Sequence, residues 1–218
     1  MQHPILEGPL VPPASGAAPR SMVILLHGYG SNGDDLISLA PYWRDALPDT
    51  VFLSPNAPQP CPGAPGGRQW WSLTDFSPQA RAAGVREAAP ILDAYIDHQL
   101  AAYGLTEDRL ALVGFSQGTM VALHVGPRRA RQLAAIVGYS GMLADPESLA
   151  AEARSKPPIL LVHGDADPMV PVAALHRAAA ELEPLGFEVT THVSRSLGHS
   201  IDEPGLRLGA QLLSRVLA

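Results

Sequence analysis

The chain has 218 residues, 46% hydrophobic and 17% charged, and a formal net charge of −6. That length suits one domain with a substantial core, and the acidic balance offers no electrostatic footprint for nucleic acid or an anionic membrane. A single cysteine, Cys61, excludes an internal disulfide framework and any cysteine-rich metal site.

Residues 1–20 carry Pro4, Pro9, Pro12, Pro13 and Pro19. Proline removes a backbone donor and fixes φ, so this stretch reads as an extended edge segment or arm. It lacks the basic region and apolar run of a signal peptide, and no later stretch approaches the 18 uninterrupted apolar residues of a membrane span. A cytoplasmic protein without integral membrane contact is therefore expected.

Residues 21–26 form an almost wholly apolar run ending in His27-Gly28-Tyr29-Gly30, the pattern of a strand buried on both faces. Leu36, Leu39, Ala40, Trp43 and Leu47 then recur at helical spacing, with Asn32 or Asp34 placed to cap and Pro41 placed to split the helix. A second strand is predicted at 50–53. A long Pro- and Gly-rich loop follows over 54–69, then Trp70-Trp71. Val85, Ala89, Leu92, Tyr95, Ile96 and Tyr103 share a helical face.

Strands are predicted at 109–115, 134–139, 158–162 and 187–193. Helices are predicted from Ser116 to about Val125, around Val172–Leu182, and over Leu206–Leu217. Arg128, Arg129 and Arg131 make the densest basic cluster and read as a solvated helix end. Strand and helix alternate about six times, which implies right-handed crossovers and one α/β domain over 21–218. In such folds ligands bind beyond the carboxyl ends of the strands, so residues just after strands carry the chemistry.

Gly114-Phe115-Ser116-Gln117-Gly118 fits G-x-S-x-G, with an apolar strand before it and a helix after. A serine on that turn stands at the top of the sheet, over the positive end of the following helix. A serine hydroxyl needs a base, and the base needs an orienting carboxylate. The chain order Ser, Asp, His is met by Ser116, then Asp165 or Asp167, then His199 in Gly198-His199. Position favours Asp167, which lies further past its strand and can reach across to the base. Asp165, near the strand end, is placed to accept loop N–H groups. A metal reading of His163, Asp165 and Asp167 lacks a recognisable ligand framework.

Hydrolysis of an ester passes through an oxyanion held by two backbone N–H groups, assigned here to Tyr29 and Gln117. The Gly-rich turn at 28–30 lacks the spacing and the Lys-Ser/Thr of a phosphate loop. Trp70, Trp71, Leu73, Met142, Met169 and Leu197 lie on the strand-end side and are expected to line an apolar acyl pocket, with Leu143 and Val170 beside them. Cys61 sits in the Pro-rich loop, away from the serine turn, and receives no role.

Together, His27-Gly28-Tyr29-Gly30, Gly114-Phe115-Ser116-Gln117-Gly118, His163-Gly164-Asp165-Ala166-Asp167-Pro168-Met169-Val170-Pro171 and Gly198-His199 resemble the carboxylesterase/phospholipase family of α/β-hydrolases, which includes acyl-protein thioesterases. The resemblance spans roughly residues 20–217. It implies an α/β-hydrolase fold, a Ser116–Asp167–His199 triad without metal or cofactor, and Tyr29 and Gln117 as oxyanion donors. It also implies a Trp-containing loop at 69–73 beside the acyl pocket, and it suggests a homodimer.

No insertion is long enough for a cap domain, and 54–76 is the best candidate for a covering loop. The expectation is a serine carboxylesterase with a relatively open site for short- to medium-chain acyl esters. Acyl-protein thioesterase or lysophospholipase activity is the main alternative, and a non-catalytic binding protein the remote one.

Overall fold

In the computed structural model, residues 6–218 are described; His3 and Pro4 lie outside them. Seven strands form the main sheet: β1 (Leu10–Val11), β2 (Ser21–Leu26), β3 (Thr50–Leu53), β6 (Leu110–Phe115), β7 (Ala135–Tyr139), β8 (Ile159–Gly164) and β9 (Val189–Ser194). Their spatial order is β1-β3-β2-β6-β7-β8-β9. All pairs are parallel except the edge, where Leu10 and Val11 run antiparallel to Leu53 and Phe52. A two-residue edge strand among prolines leaves little unpaired backbone to recruit another chain.

The central strands are buried along their full length because helices cover both faces. Period-two alternation divides the core. Met22, Ile24 and Leu26 of β2 face α3 (Pro78–Tyr103), α4 (Gln117–Arg128) and α6 (Ala173–Leu182). Val23 and Leu25 face the opposite layer, which contains α2 (Ala40–Trp43) and α7 (Glu203–Leu217). The two large polar aromatics buried there keep their hydrogen bonds. Trp43 Nε1 donates to Leu206 O at 3.0 Å, and the Tyr139 hydroxyl donates to Gly205 O at 3.1 Å.

The segment predicted to split at Pro41 does so. A short α1 (Gly33–Leu36), capped by Asn32, passes through a 3₁₀ turn into α2 with Pro41 in its first turn. Two elements were not legible in the sequence. The long loop contains a small hairpin of β4 (Gln59–Pro60) and β5 (Arg68–Gln69), too short to show any periodicity. The seven-residue α5 (Pro146–Glu152) buries only Leu149 and so carries no amphipathic stripe.

The basic cluster at the end of α4 corrects an expectation. Arg131 is exposed, but Arg129 is only 8% exposed and is not solvated. It reaches Asp93 at 2.5 Å and Asp97 at 2.6 Å on α3, and Glu107 at 3.2 Å. A buried guanidinium requires such partners, and here it joins α4 to α3. Arg129→Met leaves three carboxylates without their cation, and is expected to lower stability by about 1–3 kcal/mol in urea denaturation without changing turnover.

The chain leaves β2 toward β3 on one side, and the next strand on the other side is β6. In such sheets ligands bind where the strand order reverses, here at the carboxyl ends of β2 and β6, where the 27–30 turn and Ser116 lie.

Candidate active site

Ser116 joins β6 to α4 with φ 53° and ψ −113°, outside the ordinary right-handed and extended regions. Such a backbone costs on the order of 1–3 kcal/mol and persists only where its surroundings enforce it. The Ser116 N–H donates to Tyr139 O at 2.9 Å, and Met120 N–H donates to Ser116 O at 3.2 Å. The helix must also pass very close to β2: a Cβ at Gly118 would sit 1.8 Å from Leu26 O, so only glycine fits. The 27–30 turn lies against the serine, since a Cβ at Gly28 would be 3.2 Å from Ser116 Cβ.

Two backbone donors remain open at this point. Among the described residues, neither the Tyr29 nor the Gln117 N–H has an acceptor. Tyr29 N–H belongs to the turn over the serine, and Gln117 N–H to the first turn of α4. Free N–H groups at a helix start favour developing negative charge.

The Gln117 side chain has a separate task that sequence reasoning missed. It is fully buried. Its Oε1 accepts from Trp70 N–H at 2.9 Å, and its Nε2 donates to Trp71 O at 2.9 Å. Trp70 Nε1 in turn donates to His27 O at 3.0 Å. His27 Nε2 accepts from Ala57 N–H at 2.9 Å, so Nδ1 carries the proton and donates to Gly28 O at 2.8 Å. Burial pushes the His27 pKa down, which keeps this imidazole neutral, although the Gly28 hydrogen bond works in the other direction. Arg68 donates to Ala57 O and Pro58 O, while its backbone pairs with Gly30 and Ser31. The long loop thus clamps the 27–31 turn.

This clamp changes the place of the tryptophans. Trp70 and Trp71 are 1% and 2% exposed and belong to the core, so they do not line an open pocket. The Trp71 indole lies over Gly84 of α3, and the Trp70 ring lies beside His27, with centroids 6.0 Å apart. Leu73 is partly buried against the same core. Met169 is 71% exposed and Leu197 is half-buried. Met142 and Leu143 line a groove of about 560 Å³ between α3, α6 and the loop after β7. Cys61 is buried beneath the turn, near Gly30. The neighbouring Cys61 thiol raises the pKa of the Tyr29 phenol.

On the other side of Ser116, the β8 and β9 loops converge. Asp167 Oδ2 accepts from His199 Nδ1 at 2.7 Å. Asp167 Oδ1 accepts from the N–H groups of Met169 at 2.8 Å and Val170 at 2.9 Å. His163 Nε2 lies 3.3 Å from Oδ2 and 2.7 Å from Val170 O. Burial alone would raise the Asp167 pKa. The hydrogen bonds from His199, Val170 and Met169 outweigh it and hold the carboxyl below its ordinary range. The His199 ring packs on Phe115, the residue before Ser116, with centroids 4.9 Å apart.

Asp165 does not reach His199. Its Oδ1 accepts from Ser196 N–H at 2.6 Å and pins the loop that carries the base. That loop crosses β8 closely: a Cβ at Gly164 would fall 2.1 Å from Leu197 O. Gly164→Ala is therefore expected to cost on the order of 2–3 kcal/mol in urea unfolding. It should also lower kcat, because the loop that must yield is the one bearing His199.

A strained serine between a parallel sheet and a helix, with open N–H groups on one side and a His–Asp pair on the other, defines the class: an α/β hydrolase. The sequence profile of the phospholipase/carboxylesterase family matches residues 12–216. The chain belongs to that family and is a carboxylic ester hydrolase.

Similar proteins agree. Esterase YpfH of Escherichia coli is 27% identical over 188 residues, 86% of this chain and 79% of that one. Acyl-protein thioesterase 1 of Schizosaccharomyces pombe is 34% identical over 173 residues, 75% of each chain. Among solved structures, esterase PE8 superposes with a TM-score of 0.93 at 46% identity, over 97% of this chain and 99% of that one. Among the described residues no helix is long and apolar enough to cross a membrane.

Proposed function

We propose that the chain is a serine carboxylesterase acting on short- to medium-chain acyl esters through an acyl-enzyme. His199, held at Nδ1 by Asp167, takes the Ser116 proton at Nε2 as the serine oxygen attacks the acyl carbonyl. The N–H groups of Tyr29 and Gln117 hold the oxyanion. His199 then protonates the leaving alcohol, and water repeats the sequence to release the acid. Asp167 stays ionised throughout, as its depressed pKa favours. The observation that carries this reading is the 2.7 Å His199–Asp167 hydrogen bond, with the imidazole packed beside the serine turn.

The chain-length preference takes the groove lined by Met142 and Leu143, in the loop after β7, as the acyl site. Its lining mixes apolar Met142, Leu143 and Ala174 with charged Arg81, Glu147, Arg177 and Glu181. A long alkyl chain filling this groove would desolvate those charges without pairing them, which is costly. On p-nitrophenyl acetate, butyrate, octanoate and palmitate, kcat/KM is expected to peak at butyrate or octanoate. A maximum at palmitate with activation at a lipid interface would overturn this preference.

The 34% identity to an acyl-protein thioesterase supports a second reading, thioester hydrolysis. Matched oxygen esters and thioesters of the same acyl groups separate the two.

A further inference from the structure

Among the described residues, the non-glycine residues with positive φ are all serines: Ser116 at 53°, Ser140 at 50° and Ser196 at 56°. Ser116 is explained by the strand-to-helix turn. Ser196 lies in an exposed turn with its N–H bonded to Asp165. Ser140 stands apart, because it is only 1% exposed and carries a hydroxyl inside the fold.

Ser140 follows β7, the strand between β6, which ends at the serine turn, and β8, which leads to Asp167. Its N–H donates to Val162 O at 2.9 Å, fixing it to β8. Its Oγ donates to Ser200 O at 3.3 Å, fixing it to the residue after His199. The next residue touches the serine turn, since a Cβ at Gly141 would lie 3.0 Å from Ser116 O. Ser140 therefore links the backbone of the nucleophile turn to the backbone of the base loop.

At φ 50° glycine carries no steric cost, whereas serine does. What serine adds is a hydroxyl, and that hydroxyl holds the chain beyond His199. The loop before His199 is already held, with Leu197 O accepting from Ala166 N–H at 3.0 Å. Ser140 supplies the matching anchor on the far side, so the imidazole is fixed between two points as well as at Nδ1.

We infer that Ser140 is a positioning residue that sets the distance of the His199 imidazole from Ser116 through the carbonyl of Ser200. This rests on His199 being the base. A displaced base slows proton transfer without altering the groove that binds substrate. Misplacement on the scale of an ångström is associated with losses of about 10²-fold.

The test compares Ser140→Gly and Ser140→Ala with the parent on p-nitrophenyl butyrate, with thermal unfolding and the rate of labelling by an organophosphonate measured alongside. Ser140→Gly is expected to keep the parent Tm to within about 3 °C, since removal of the strain offsets loss of the hydrogen bond. Its kcat and its labelling rate should fall together by about 10- to 100-fold, with KM within about twofold. Ser140→Ala keeps the strain and should show the same loss of kcat.

Parent-like kcat in a folded Ser140→Gly protein overturns the inference. So does a fall in kcat matched by a large fall in Tm, which would mark a packing role only. His199→Ala serves as the separate control. If it retains turnover, the reading of the base has failed. If it is inactive while both Ser140 variants match the parent, only the role of Ser140 has failed.

Discussion

Ser116→Ala is expected to lower kcat on p-nitrophenyl butyrate by about 10⁴-fold or more and to abolish labelling by an organophosphonate, with the thermal transition little changed. The backbone at 116 is strained in either case, because alanine pays the same penalty at φ 53° as serine. The hydroxyl is not among the bonds that hold the turn. Those run from the Ser116 backbone to Tyr139 and Met120, and the close approach of Gly118 to Leu26 is untouched. A folded Ser116→Ala protein with substantial turnover would remove the acyl-enzyme from the mechanism. It would leave the clamped 27–31 turn and the His–Asp pair without their proposed purpose. Residual hydrolysis some way above the uncatalysed rate is compatible with the mechanism, because Tyr29 and Gln117 N–H groups still receive an oxyanion when water attacks.

The sequence made the strands and the serine turn readable for one physical reason. Strands buried on both faces must be apolar along their whole length, so Ser21–Leu26 and Leu110–Val113 stand out against a polar background. The residues after them are then located by chain direction alone. What could not be read was anything decided by contacts between distant segments. Trp70 and Trp71 look like pocket residues in a long loop. They become core because Gln117, 46 and 47 positions away, bonds to both of their backbones. The local sequence around the tryptophans contains no trace of that amide. The hint in the sequence is Gln117 itself, a long polar side chain at the start of a buried, mostly apolar helix. Arg129 was misread for the same reason. Three arginines in four residues suggest solvent, and the partners Asp93 and Asp97 lie on another helix, 36 and 32 positions away.

The choice between the two aspartates yields the second large effect. Asp167→Asn should lower kcat by about 10⁴-fold near neutral pH while the protein stays folded. The new side chain can still accept from Met169 and Val170 through its oxygen. Its amide group then faces His199 Nδ1 where a carboxylate oxygen stood. An amide donor at that place favours the imidazole tautomer with the proton on Nε2, and that nitrogen can no longer take the proton of Ser116. Asp165→Asn keeps an acceptor for Ser196 N–H and should retain kcat within about tenfold. The reverse pattern, with Asp165→Asn inactive and Asp167→Asn active, would reassign the acid. Stability gives an independent reading. The Asp167 carboxyl is held below its ordinary range in the folded protein, so its ionised form stabilises the fold above the unfolded value of about 3.9. That contribution is lost as pH falls through the depressed folded value. Asp167→Asn removes it, so the variant's unfolding midpoint should vary less with pH on the acid side than the parent's, whatever its effect on turnover.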